Sequence, residues 1–138
     1  MTTLLTDIPA TRRLLEKILP PWEGEAAATL VLASAGRAEL RLLCLVDDIP
    51  SDASTDEARQ CVSLFAEASA ATARRDPGLL VVRQRRGSPD LRETDTQWVP
   101  AAVAGCAEHG VELLGVWLVA GRARPRRLDA PLAQPARV

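Results

Sequence analysis

Four consecutive aliphatic residues, Leu79 to Val82, stand between the turn-forming triplet Asp76-Pro77-Gly78 and a basic stretch. Successive side chains of a β-strand point to opposite faces of its sheet. A strand that is apolar at every position therefore needs cover on both faces. This run predicts an interior strand of a sheet that has helices packed on it.

Hydrophobic spacing and breaker residues predict the remaining elements. Pro20-Pro21 ends the first helix because neither proline can donate a helical hydrogen bond, and a Ser54–Glu57 capping box opens the second. Pro100 either kinks the third helix or marks the start of its regular part. The predicted elements are a helix over Ile8–Leu19, strands over Thr29–Ala33 and Leu40–Val46, a helix from Ser54 to near Arg74, the strand Leu79–Val82, a helix within Thr94–His109, a strand over Val111–Val119 and an edge strand within Arg122–Leu128.

These elements follow the order α-β-β-α-β-α-β-(β), which predicts the α/β (α+β) class with a single mixed β-sheet and helices packed on it. The chain has 138 residues, of which 47% are hydrophobic and 25% charged, as in an ordinary globular domain. We assign residues 1–128 to one domain, in which 1–25 form the N-terminal helix and connector. Residues 129–138 are expected to be a flexible C-terminal tail.

The cysteine content predicts a reducing compartment. Cys44, Cys61 and Cys106 lie in apolar stretches without a CxxC pair, which is typical of buried free thiols. The N-terminus has no signal-peptide pattern, and no apolar run approaches the roughly 20 residues of a membrane span. The net charge of −1 gives no overall attraction to nucleic acid or acidic lipid. We expect a cytoplasmic protein without a membrane partner.

Between Val81 and Gly121 the chain has an apolar strand, a turn containing Gly87, an aspartate (Asp95) near a helix start, and Gly110-Val111-Glu112-Leu113-Leu114 after that helix. This arrangement resembles the RadC-like JAB/MPN domain family. In that family the strand leads to a metal-binding His-x-His, a Pro-Ser-Gly turn, and a serine and an aspartate that open the helix. The resemblance implies a JAB/MPN-like fold, with Asp95 at the position of the metal-ligand aspartate.

The chain departs from this family at the metal ligands. Counting back from Asp95 places the two histidine positions on Val82 and Gln84, and the serine position on Arg92. Zn²⁺ needs three or four nitrogen, oxygen or sulfur ligands, whereas Val82 cannot ligate and Gln84 is a poor ligand. The resemblance therefore implies a metal-independent pseudoenzyme, without a cofactor and in a DNA-repair setting.

Two arginine clusters are candidates for binding an anion or a partner. Guanidinium groups bind phosphate or carboxylate bidentately, although arginines in a loop can also be simply solvated. No aromatic residue interleaves with the second cluster, which disfavours base stacking and leaves docking on nucleic-acid phosphates or an acidic protein face. The candidates are Arg83, Arg85, Arg86 and Arg92 in the first cluster, and Arg122, Arg124, Arg126 and Arg127 in the second.

An acidic segment, Asp47–Glu57, provides a complementary surface. It lacks the ligand spacing and the later glutamate of an EF-hand loop, so we expect a solvated loop. The candidate acidic contact residues are Asp47, Asp48 and Asp52. Trp22 is a candidate interface aromatic if it is exposed. Trp98 and Trp117 are expected in the core or at an interface.

The chain offers no complete catalytic set. His109, the only histidine, is expected to cap its helix or to lie in solvent, since a catalytic base needs an oriented nucleophile. Cys106, three residues earlier, is expected to be a buried structural thiol.

The leading hypothesis is a non-catalytic interaction or regulatory domain, not an enzyme, that binds a protein partner or a second copy of itself. One alternative is a nucleic-acid-binding module that uses the arginine clusters. The other is an enzyme with a site around Arg85, Arg86, Asp95 and His109.

Overall fold

The computed structural model describes the backbone of residues 7–19, 27–35, 39–46, 54–72 and 77–129, and the side chains of these except 33–35, 39–46 and 72. The elements are α1 (Ile8–Ile18), β1 (Ala28–Ala35), β2 (Glu39–Val46), α2 (Thr55–Thr72), β3 (Pro77–Arg85), α3 (Glu93–Thr96), α4 (Trp98–Ala107), β4 (Glu112–Ala120) and β5 (Arg126–Arg127). The predicted class, mixed α and β with one mixed sheet, is confirmed. The observed order contains one element beyond the prediction, the short helix α3.

The sheet has the strand order β2-β1-β3-β4-β5. Strand β1 runs antiparallel to both β2 and β3, and β5 runs antiparallel to β4. Strands β3 and β4 are parallel, so the chain must cross over between them, and it does so through α3 and α4. Strand β3 has a neighbour on each side, which confirms the predicted interior strand.

Helices cover both faces of this sheet, and successive residues of β3 show the alternation. Leu79 and Val81 pack in a cluster with residues of α2 and α4. Leu80 and Val82 pack on the other face beneath Leu15 of α1. The two tryptophans among the described residues divide between the faces: Trp98 lies in the first cluster and Trp117 in the second, and both are buried in the core.

Helix α2 begins at the predicted capping box. The Ser54 N–H donates to Glu57 Oε1 at 2.9 Å, and the Glu57 N–H donates to Ser54 Oγ at 3.1 Å. Farther along, α2 approaches α4 closely at Gly105. A Cβ at Gly105 would lie 2.9 Å from both the Ser63 backbone nitrogen and the Val62 side chain, so this packing requires a residue without a side chain.

The predicted loop start at Arg83 is wrong, because β3 continues to Arg85. Pairing with neighbours on both sides extends the strand: Arg83 lies opposite Thr29 of β1, and Arg85 lies opposite Ala120 of β4. Helix α4 begins at Trp98, so Pro100 lies in its first turn, where a missing N–H costs no helical hydrogen bond.

The folded domain includes Asp129, which was predicted to begin the tail. The Val116 N–H donates to Asp129 Oδ1 at 2.9 Å. The predicted edge strand is reduced to the two residues of β5. Residues 130–138 and most of the predicted connector, 20–26, lie outside the described residues. Helix α1 is tied to the segment before β5 by the Arg12 Nε–H, which donates to the Pro125 carbonyl at 2.9 Å.

Candidate functional site

A charged cluster lies at the carboxyl ends of the parallel strands β3 and β4, where open α/β sheets bind ligands. Arg83 and Arg85 are the last odd-numbered residues of β3, so they point to the same face as Val81, toward α2 and α4. The short helix α3 brings Asp95 against them. We call Arg83, Arg85 and Asp95 the ion triad.

The Asp95 carboxylate is completely buried, with 0% of the residue exposed. Its Oδ1 accepts hydrogen bonds from Arg83 Nε at 2.9 Å and Arg85 Nε at 2.8 Å. Its Oδ2 accepts from Arg85 Nη2 at 2.7 Å and from the Arg92 backbone N–H at 3.0 Å. The last bond also satisfies a free N–H at the start of α3. Asp95 thus joins β3 to α3.

Arg85 uses all five of its N–H donors within the chain. Besides Asp95, Nη1 donates to the carbonyl oxygens of Arg86 at 3.1 Å and Ser88 at 2.7 Å. Nη2 donates to the Asp90 carbonyl at 2.9 Å. The guanidinium therefore organises the loop after β3 around itself and has no donor left for an external anion.

The electrostatics of the triad favour its charged form. Burial by itself would raise the pKa of Asp95, but hydrogen bonds from Arg85, the Arg92 backbone and Arg83 outweigh it, and the pKa is lowered. Burial lowers the pKa of Arg83, and the hydrogen bond to Asp95 opposes this shift. The Asp95 carboxylate is therefore ionised at neutral pH between two guanidinium groups.

Within each candidate cluster, the arginines differ in burial and in ion pairing. Both interpretations of the first cluster, as a solvated loop or as an open anion site, are wrong for Arg83 and Arg85, which are 3% exposed and bound to Asp95. In the second cluster, Arg124 pairs with Glu16 at 3.0 Å, and Arg127 pairs with Asp129 at 2.9 Å. Within these two clusters, the exposed arginines whose side chains show no ion pair among the described residues are Arg86, Arg92, Arg122 and Arg126.

The structure joins the two clusters at one edge of the sheet. The Gly121 N–H donates to the Arg85 carbonyl at 2.8 Å, which places the turn after β4 against the end of β3. A Cβ at Gly121 would lie 2.9 Å from the Gly87 carbonyl oxygen, and Gly121 has a φ of +55°. Glycine at this position permits both the turn and the close approach. Arg86 and Arg122 flank this contact in the sequence.

The register by which the resemblance placed the histidine positions is not the one that faces Asp95. Val82 lies in the cluster beneath α1. Gln84, two residues later in the strand, points to the same face of the sheet. Asp95 contacts Arg83 and Arg85, which alternate with them. Among the described residues, no group of three or more His, Cys, Asp or Glu side chains is placed to hold a metal ion.

A second polar cluster, which we call the helix-end network, joins α2 to the end of α4. His109 Nε2 lies 2.9 Å from Ser63 Oγ, and Ser63 Oγ donates to Glu108 Oε1 at 3.0 Å. Arg59 Nη1 lies 2.7 Å from Glu108 Oε2. The hydrogen bond from Arg59, followed by that from Ser63, lowers the pKa of Glu108. His109 thus contacts another helix, which differs from the predicted helix cap or solvated position.

Sequence reasoning did not find Ser63 because it is 46 residues from His109, and no local motif marks it. The two cysteines with described side chains are free, as predicted. Burial raises the pKa of Cys61 to about 11 and that of Cys106 to about 12, so both remain thiols at neutral pH. Cys106 lies in the core, which confirms its expected structural position.

The described residues include only the end of the acidic segment Asp47–Glu57. Asp56 is exposed and pairs with Arg59 at 3.3 Å. The acidic contact candidates and the interface aromatic lie outside the described residues: Asp47, Asp48, Asp52 and Trp22.

Comparisons with models of known families, with curated proteins and with solved structures found no match to this chain. None of the helices in the described ranges combines the length and apolar character needed to cross a membrane. The geometry of the charged clusters is therefore the basis for a functional proposal.

Proposed function

We propose that this chain is a non-catalytic interaction domain that binds a protein partner, and that the ion triad at the end of β3 is structural. The observation that carries the proposal is the closure of this centre. Asp95 is fully buried, and every donor of Arg85 is engaged within the chain. In such a sheet, ligands usually bind at the carboxyl ends of the strands. A substrate there would contact the loop and the exposed arginines around the triad rather than Asp95 or the guanidinium group of Arg85.

We further propose that the chain is a diverged, metal-free relative of the RadC-like JAB/MPN domains. In this relation Arg83 and Arg85, two residues apart on one face of β3, take the place of the family's His-x-His. Their guanidinium groups cannot ligate a metal and would repel one, so the residues present do not fit Zn²⁺. The guanidinium groups instead supply the positive charge that stabilises Asp95. A DNA-repair setting and a cytoplasmic location remain predictions.

The helix-end network supports a structural role for His109 as well. A serine nucleophile needs a histidine that accepts its proton. Ser63 has one hydroxyl proton, and the Glu108 carboxylate at 3.0 Å competes with His109 for it. We interpret Ser63, Glu108 and His109 as a polar link between two helices.

A histidine exchange tests the proposed relation. The double variant Arg83→His/Arg85→His would place two imidazoles beside Asp95, giving the three protein ligands of an open zinc site. We expect it to bind one equivalent of Co²⁺ with a tetrahedral absorption spectrum. The matched control, Val82→His/Gln84→His, should bind none. Circular dichroism establishes that each variant is folded, and Co²⁺ binding by the control alone would contradict the proposed register.

Isolation of the tagged chain from its native cell tests the function. We expect a protein that remains bound after nuclease treatment and that reassembles with the chain from purified components. Loss of all partners on nuclease treatment would instead favour a nucleic-acid-binding module. Hydrolytic turnover by the purified chain that falls on substitution of Arg85 with lysine, in a variant shown to be folded, would favour an enzyme.

Nucleic-acid binding is the second candidate function, and one observation favours it. Arg86, Arg92 and Arg122 are exposed and lie around one contact between two loops. If phosphates were the ligand, affinity for DNA or RNA would fall steeply with rising salt because bound counterions are released.

A further inference from the structure

We infer that Arg86, Arg92 and Arg122 form a preorganised docking surface, here called the arginine surface, for an acidic protein segment that also presents an apolar side chain. This inference rests on the proposed function and specifies the chemistry of the partner. The ion triad then has a second role, which is to hold these three exposed arginines in place.

The three arginines are brought together by the contact between Gly87 and Gly121. Arg92 lies over Gly87, since a Cβ at Gly87 would be 2.8 Å from Arg92 Nη2. Gly121 also approaches Gly87, since a Cβ at Gly121 would be 2.9 Å from the Gly87 carbonyl oxygen. Arg86 precedes Gly87 in the chain, and Arg122 follows Gly121. This contact brings the backbone segments that carry the three arginines together, although 36 positions separate the first from the last.

Each arginine is anchored through its backbone or its neighbour's backbone to the ion triad. The Arg86 carbonyl accepts from Arg85 Nη1 at 3.1 Å, and the Arg92 N–H donates to Asp95 Oδ2 at 3.0 Å. Arg122 follows Gly121, whose N–H donates to the Arg85 carbonyl at 2.8 Å. Because the backbone is held by buried groups, less conformational entropy is lost when these side chains bind a partner.

The groups beside the arginines favour a protein partner over nucleic acid. Leu91 is 42% exposed between Asp90 and Arg92, which gives the surface an apolar contact. The exposed residues Asp90 and Glu93 lie in the same segment and reduce the net positive charge of the surface, which disfavours a continuous phosphate backbone more than a short acidic segment. Among the described residues, Trp98 and Trp117 are buried and cannot stack on bases. Guanidinium groups pair bidentately with carboxylates, and arginine with a nearby apolar residue is typical of protein interfaces.

A peptide-binding assay with the full chain tests the inference. The probe is a fluorescein-labelled peptide in which glutamates flank a central leucine, and fluorescence anisotropy is measured at low salt. One comparison peptide has glutamine in place of glutamate, and another has alanine in place of leucine. We expect the acidic peptide to bind, the glutamine peptide not to bind, and the alanine peptide to bind more weakly.

Charge reversals locate the binding. Arg86→Glu, Arg92→Glu and Arg122→Glu should each weaken binding by about fivefold or more. The matched control Arg13→Glu makes the same charge change on the exposed side of α1 and should leave affinity unchanged. An equal loss in the control, or no binding of the acidic peptide, would overturn the inference. Tighter binding of a DNA duplex than of the peptide, lost in the same variants, would replace the protein partner with nucleic acid.

Different results would refute the proposed non-catalytic function and the proposed arginine surface. Turnover that depends on Arg85 would contradict the non-catalytic function whatever the peptide does. A confirmed protein partner whose affinity is unchanged by all three reversals would leave the interaction function intact and refute the arginine surface.

Discussion

The ion triad and the helix-end network contain the same kinds of groups in different surroundings. Both join an arginine to a carboxylate at 2.7 Å. Asp95 in the triad is fully buried, whereas the side chains of Arg59 and Glu108 are 33% and 40% exposed. Solvent screens the second pair and competes for its hydrogen bonds, but it cannot do so for the first.

The buried pair should therefore contribute more to the stability of the fold than the exposed pair. Removing one partner of a buried pair leaves an uncompensated charge in a medium that solvates it poorly. Removing one partner of an exposed pair leaves a charge that water solvates. We therefore expect the fold to depend strongly on Asp95 and weakly on Glu108, and the following variants examine that contrast.

The largest effect is expected for Asp95→Asn. Two buried guanidinium groups would lose the carboxylate that accepts their hydrogen bonds, and the free energy of unfolding should fall by about 3–5 kcal/mol. Urea unfolding monitored by circular dichroism measures the change. Asp90→Asn is the matched control, because Asp90 is exposed in the adjacent loop, and its midpoint should not move. A stable Asp95→Asn variant would contradict a structural role for the triad.

The next effect is expected for Arg85→Lys. Lysine keeps the charge, but its ammonium cannot reproduce the fork that binds Asp95 and three loop carbonyls. We expect a loss of about 2 kcal/mol, measured in the same urea experiment. Arg86→Lys, one residue later and exposed, is the control and should behave as the parent chain. Equal effects in both variants would show that the fork geometry is unimportant.

The pH dependence of stability should differ between the parent chain and Asp95→Asn. The folded pKa of Asp95 is lowered, so its carboxylate contributes stability above its unfolded pKa of about 4. This contribution is lost as pH falls through the lower folded pKa. The stability difference between the two chains should thus be constant near neutral pH and shrink in acid. A difference that grows below pH of about 4 would refute the assigned shift.

The smallest effect is expected for Glu108→Gln in the helix-end network. Glutamine can still accept from Ser63, and water can solvate the released Arg59 guanidinium. The urea midpoint should remain close to that of the parent chain. A loss as large as that of Asp95→Asn would break the contrast between the buried and exposed clusters.

The sequence predicted those parts of the molecule that depend on local patterns. The all-apolar run Leu79–Val82 correctly indicated an interior strand, and the Ser54–Glu57 pair correctly indicated a helix start. Both follow from neighbours in the chain. The edge strand was overestimated because the alternating Arg-rich segment first forms a turn, in which the Ala123 N–H donates to the Ala120 carbonyl, so pairing with β4 is limited to Arg126 and Arg127.

The candidate site could be predicted only in part. Asp95 was singled out through the resemblance, which placed the family's histidine positions on Val82 and Gln84, whereas the residues that contact Asp95 are Arg83 and Arg85. Charged arginines after an apolar run normally indicate a loop, and here an interior strand continues through them because a buried carboxylate compensates their charge. Ser63 and His109 meet only through helix packing, which sequence spacing does not encode.

The most direct measurement of the central claim is a pH titration of the Asp95 carboxyl carbon by NMR. We expect an ionised carboxylate whose midpoint lies below the ordinary aspartate value of about 4, or that does not titrate before the chain unfolds. A midpoint at or above that value in the folded chain would mean that the two arginines do not hold this carboxylate. The structural role of the triad would then be contradicted.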